Sequence, residues 1–119
     1  MSVIYAVNVS DIHADYEVET MTSKIMDMAS PRDTVIVFSD KVLDICYVGD
    51  LASRVSRIGI QGGSNLQPML NAACDLNGRH VIVATKAWFD HGKVYAHGMD
   101  VRMVLVGNRP NEEPQFPIA

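Results

Sequence analysis

Apolar positions come in two rhythms along the chain. Residues 3–9 (Val-Ile-Tyr-Ala-Val-Asn-Val) are a nearly unbroken, β-branched run that gives way to the polar residues 8–15, which predicts a strand buried on both faces entering a loop. Val18, Met21, Ile25 and Met28 then recur at helical spacing, with Glu17 and Glu19 in the first turn where the helix dipole favours acids, and Ser30-Pro31 stops the helix. Residues 34–38 are a second buried strand and residues 42–48 another. Only residues 39–41 join them, too few for a crossover, so the two are expected to be antiparallel neighbours. Asp44 in the middle of the later strand suits a sheet edge. Residues 50–58 predict a short helix with Leu51, Val55 and Ile58 on one side.

A glycine-rich loop, residues 59–65, leads into residues 66–77, where Leu66, Met69, Leu70, Ala73 and Cys74 share a helical face. Ser64 with Gln67 three positions on reads as a capping box, and Asn77-Gly78 as the helix stop. In the pair Gly62-Gly63 the expectation is a positive φ or a close backbone approach, so that Gly63→Val would be damaging. Residues 80–85 and 101–107 are the third and fourth buried strands; the connection between them carries Trp88, His91 and His97. Alternating strands and helices with right-handed crossovers predict an α/β domain of three layers: a doubly wound, mostly parallel sheet with one antiparallel edge strand. Residues 1–107 make that single domain, and the proline-rich residues 108–119 a tail over its surface.

With 119 residues, 48% of them hydrophobic, the chain suffices for one core and excludes a two-domain enzyme. A formal charge of -4 without a basic run argues against nucleic acid and anionic membranes as partners. No apolar stretch approaches the ~20 residues of a membrane span and no basic-then-apolar leader opens the chain, so a cytoplasmic protein is expected. Cys46 and Cys74 lack metal or redox spacing and read as buried free thiols, and the seven methionines as core filler. The glycine-rich loop is neither a P-loop nor a dinucleotide fingerprint, so no cofactor is expected.

In an open α/β sheet, ligands sit beyond the carboxyl ends of the strands where strand order reverses. Residues 8–15, 62–65 and 85–90 are expected to meet there. Residues 62–70 (Gly-Gly-Ser-Asn-Leu-Gln-Pro-Met-Leu) followed by residues 81–86 (Val-Ile-Val-Ala-Thr-Lys) resemble the von Willebrand factor A-like fold, in particular its compact bacterial and phage-type members. That family has a Gly-Gly-Thr-Asp segment with a downstream Pro before a helix, then an apolar strand ending in Thr-Asp-Gly. The resemblance runs in order over residues 1–107 and implies that residues 3–12 hold the first strand and its Asp-x-Ser-x-Ser motif. In the family these loops hold a divalent cation that leaves one position for a partner's acid. Here Asn8 stands in place of the first Asp, Ser10 matches the first Ser, Ile12 replaces the second, Ser64 stands for the Thr, and Lys86 falls where the last Asp would be. With both carboxylates gone and a cation added, the implied metal site is degenerate. Asn8, Ser10, Asp11, Ser64, Asn65, Lys86 and Trp88 are then the expected binding residues. The Lys86 ammonium either lies near the vacated ion position, held by Asn8, Ser10 and Ser64, or points to solvent; in both cases a change there should leave stability within about 0.5 kcal/mol. Trp88 is either an interface anchor or a lid over the core.

These readings imply a non-catalytic, metal-free protein-binding module, such as an adaptor, assembly factor or inhibitor, whose partner is another protein. The alternative is a small metal- or phosphate-dependent hydrolase in which Asp11, His13 and Asp15, alternating in one loop, converge as ligands or as an acid-base set. Ser10 with Asp11 and His13 has the residue types of a nucleophilic triad but not the glycine-flanked elbow. His80, His91 and His97 have no metal-ligand spacing.

Overall fold

The computed structural model describes residues 3–86 and 94–106. Among these, five strands, β1 (Val3–Asn8), β2 (Thr34–Phe38), β3 (Val42–Tyr47), β4 (His80–Thr85) and β5 (Asp100–Leu105), form one sheet in the order β3-β2-β1-β4-β5. β1 runs parallel to β2 and β4, and β4 parallel to β5; β3 is antiparallel to β2 at one edge. The helices are α1 (Asp15–Met28), α2 (Leu51–Ile58) and α3 (Leu66–Asp75). A mostly parallel α/β sheet with one antiparallel edge strand is thus what the apolar pattern predicts.

Side chains of a strand alternate between sheet faces, and the two apolar clusters follow that period. Ile4, Ala6, Ile36, Phe38, Val81 and Val83 pack with Leu66, Met69, Leu70 and Ala73 of α3. Tyr5, Val7, Val35, Val37 and Ala84 pack with Val18, Met21 and Ile25 of α1 and Leu51 of α2. Both faces of the inner strands are therefore dry, which is why those strands read as unbroken apolar runs. Each fully buried side chain of this size adds about 1.5–3 kcal/mol. From β1 the chain proceeds through α1 to β2 and β3 on one side; after α2 and α3 it returns to β4 on the other side of β1. Strand order reverses between β1 and β4, and their carboxyl ends, at Asn8 and Thr85, mark the crevice.

Several local expectations change. Asn65, not Ser64, caps α3: its side chain accepts from the Gln67 N–H at 3.0 Å. The strained glycine is Gly62, with φ 77°, where a Cβ would meet Ser39 Oγ at 2.9 Å and Asp40 Oδ1 at 3.0 Å; Gly63 has open space and no positive φ. At the end of α3, Asn77 takes the left-handed conformation with φ 60°. Met21 and Met69 fill the core, but Met26 and Met28 are exposed. Both cysteines are free; Cys46 is buried and Cys74 only partly so. Trp88, His91 and residues 107–119, with the expected boundary after residue 107, lie outside the described residues. Among the described residues, no helix is long and apolar enough to cross a membrane.

Candidate functional site

At the end of β1, the fully buried Asn8 spans the gap between the sheet and the loop before α3. Its Nδ2 donates to Ser64 Oγ at 2.9 Å and, at a longer 3.5 Å, to Thr85 Oγ1 at the end of β4. Its Oδ1 accepts the Ser10 N–H at 3.0 Å, the local turn that Asn favours after a strand. Every polar atom of this buried amide is engaged, as burial demands. Backbone bonds stitch the neighbouring loops together: Asp11 N–H to the Gly62 carbonyl (2.9 Å), Gln61 N–H to that of Val9 (3.0 Å), and Asn65 N–H to that of Ser39 (2.9 Å).

His13 is the second tie. Its Nε2 faces the backbone N–H of Lys86 at 2.9 Å, so that nitrogen is the acceptor, and the ring proton, on Nδ1, is donated to the Ser10 carbonyl at 3.1 Å. Thr85 Oγ1 lies 3.4 Å from Nε2 and Ser10 Oγ 3.5 Å from Nδ1. Burial holds the imidazole below its ordinary pKa; the Ser10 carbonyl and the Glu17 charge oppose that, and Lys86 reinforces it. The ring is neutral at pH 7.

From the first turn of α1, Glu17 turns inward and is only 2% exposed. Its Oε1 accepts the Ala14 N–H at 2.9 Å, satisfying the helix start where Ala14 has no capping side chain, and pairs with Lys86 Nζ at 3.3 Å. Its Oε2 is buried without a hydrogen-bond partner among the described residues. The Lys86 side chain is 46% exposed, so the pair sits at the rim with one charge inside and one half in water.

The structure thus brings together Asn8, Ser10 and Ser64 of the expected set and places Lys86 at their border. The ammonium is neither held by those three residues nor free: Glu17 holds it. Removing it strands a buried carboxylate, so the expectation that Lys86 substitutions are neutral for stability does not hold. Asp11 and Asp15 are exposed while His13 faces inward with both ring nitrogens engaged, so these three do not converge. Asn65 serves α3 rather than the crevice. His80 pairs with Asp100 at 3.3 Å and His97 with Asn71 at 2.7 Å, away from this end.

Of the network, His13 was expected only as a ligand or acid-base group with Asp11 and Asp15, Thr85 only as the end of a strand, and Glu17 only as a first-turn acid of the helix. Glu17 was legible: residues 17, 21 and 25 fall on one stripe of α1, so a carboxylate there shares the buried face of Met21 and Ile25.

A divalent cation does not fit this donor set. The near groups are an amide, hydroxyls and a neutral imidazole, and the one inward carboxylate already carries an ammonium. Among the described residues no group of three or more His, Cys, Asp or Glu side chains is arranged to hold a metal ion. No protein-family model matches the chain, and no curated protein or solved structure is significantly similar to it.

Proposed function

We propose that the chain is a three-layer, doubly wound domain of the von Willebrand factor A-like kind that carries a lysine–glutamate pair at the rim of its crevice in place of a metal and works as a non-catalytic protein-binding module in the cytoplasm. The observation that carries this reading is the Asn8–Ser64 bond across the order reversal, with the Lys86–Glu17 pair at its rim. Where the resemblance implies two acids and a cation, there is an amide bonded to a hydroxyl and an ammonium held by a buried carboxylate. The two free cysteines accord with a reducing compartment. The recognition surface is the carboxyl end of the sheet, where Lys86, half in water, offers its remaining donors to an acidic group of a partner that competes with Glu17. The dispersal of Asp11, His13 and Asp15 leaves the hydrolase alternative without an assembled site.

The test compares proteins captured from the native host by the parent, by Lys86→Glu and by the doubly neutral Glu17→Gln, Lys86→Gln. The double variant removes the cation without stranding the carboxylate, so it separates lost recognition from lost folding. A partner retained by the parent, weakened in the double variant and lost with Lys86→Glu supports the reading. Equal capture by all three contradicts it, and the exposed side of β3 becomes the next surface to probe.

A further inference from the structure

Two loops of the crevice are joined by a group whose hydrogen-bonding character inverts with one proton. We infer that residues 10–14 and the carboxyl end of β4 form an acid-released latch, with His13 as the sensor and the Lys86 backbone as the part let go. As a control on recognition this rests on the reading above; as a latch it rests on the geometry of these residues alone.

The ring is 5% exposed, and both nitrogens are committed: Nδ1–H to the Ser10 carbonyl at 3.1 Å, Nε2 to the Lys86 N–H at 2.9 Å. A second proton can enter only at Nε2. There it turns the acceptor into a donor and sets two N–H groups against each other, so the His13–Lys86 bond cannot survive with the ring in place. Thr85 Oγ1, at 3.4 Å, is the other oxygen near that nitrogen, and it already lies 3.5 Å from Asn8 Nδ2.

The charged surroundings are mixed. From α1 the buried Glu17 favours the imidazolium; from the end of β4 the Lys86 ammonium disfavours it. Asp11 and Asp15 of the same loop are exposed, Asp40 of the β2–β3 turn is engaged by Ser39 Oγ at 3.1 Å, and residues 62–65 contribute no titratable group. Burial is the largest of these influences and opposes the proton, so protonation and departure of the ring are coupled. Once the ring leaves, the Lys86 amide loses its acceptor, and the register that sets Nζ beside Glu17 goes with it.

Amide hydrogen exchange of the intact protein, followed by NMR between about pH 7 and about pH 5, reads this directly. After correction for intrinsic exchange, the opening equilibrium at Lys86 should rise about tenfold for each pH unit below the ordinary histidine value, because only the open state takes the proton. Val83, inside β4, should stay flat over the same range. The His13 ring resonance should titrate with the midpoint at which Lys86 protection is lost. In His13→Gln, whose side-chain oxygen reaches the place of Nε2 and does not titrate, the Lys86 profile should be flat. Parallel acceleration at Lys86 and Val83, a flat Lys86 profile in the parent, or a ring that titrates without any change at Lys86 each overturns the latch, and the parent alone decides these if the Gln variant fails to fold. None of these readouts involves a partner, so failure of the latch and failure of the recognition reading are told apart.

Discussion

His13 Nε2 and the backbone N–H of Lys86 meet at 2.9 Å across 73 positions of sequence. That bond ties the loop after β1 to the end of β4, the two strands between which the sheet order reverses. A neutral imidazole is a short, rigid bridge that offers a donor on one side and an acceptor on the other, which suits a place where a turn carbonyl, that of Ser10, has a second lone pair to offer and the Lys86 N–H needs an acceptor. The same choice makes the crevice sensitive to protons.

Stability should therefore depend on pH with a defined sign. The folded-state pKa of His13 lies below the unfolded one, so the unfolded chain binds the proton more readily. The contribution is whole above the ordinary histidine value of about 6.5 and is lost as pH falls below it. Urea unfolding across that range should show the decline in the parent and a weaker one in His13→Gln. An unchanged slope in the variant would place the acid sensitivity in other groups.

Ser64→Ala leaves Asn8 Nδ2 with only the long contact to Thr85 and should cost about 1–3 kcal/mol. Asn8→Ala should cost at least as much, since it also strips the Ser10 N–H of its acceptor. Because each change removes the same bond, the double variant should cost clearly less than the sum of the singles. Additive losses in denaturant melts would mean that the two side chains do not share an interaction.

The adjacent glycines should behave differently. Gly62→Ala combines a positive φ with a Cβ forced against Ser39 and should destabilise by about 1–2 kcal/mol, whereas Gly63→Ala meets open space and should stay within about 0.5 kcal/mol. Equal thermal shifts in the two variants would show that the loop relaxes around either change.

At the sheet edge, Asp44 accepts the Ile45 N–H through Oδ1 at 2.9 Å and holds Arg54 through Oδ2 at 3.0 Å. One carboxylate thus closes an edge donor and places charge beside the exposed Ile45 and Tyr47. Asp44→Ala should change stability by only about 1 kcal/mol or less, since the ion pair is partly exposed, yet promote concentration-dependent association in sedimentation experiments. A variant that associates no more than the parent at any concentration would show that twist or other side chains protect the edge.

The strands and the antiparallel edge were legible because both faces of β1, β2 and β4 are covered, leaving runs such as Val35-Ile36-Val37-Phe38 with no polar interruption. Asn8, Ser10 and Ser64 were legible as a group because strand ends at an order reversal converge whatever their chemistry. His13 was singled out, but as a ligand or acid-base group beside Asp11 and Asp15 and not as a tie to the end of β4, because a histidine in a polar loop looks alike in sequence whichever way its ring turns; Thr85 looked like the last residue of a strand. Lys86 was misjudged for the same reason: its partner lies on α1, 69 positions earlier, and only packing brings them together. The same holds for the adjacent glycines 62 and 63, whose identical residue type hides that, of the two, Gly62 carries the positive φ.

That an amide, hydroxyls and the Lys86–Glu17 pair at the rim close the crevice where the resemblance implies a metal is tested most directly by thermal melting of the parent in millimolar Mg²⁺ against chelator. Ligand at 100 times its dissociation constant adds about 2.7 kcal/mol, a shift of several degrees in a domain of this size. The melting temperature is predicted to be the same in both solutions; a rise of several degrees with Mg²⁺, abolished by Ser10→Ala or Ser64→Ala, would contradict the claim and restore a metal to the crevice.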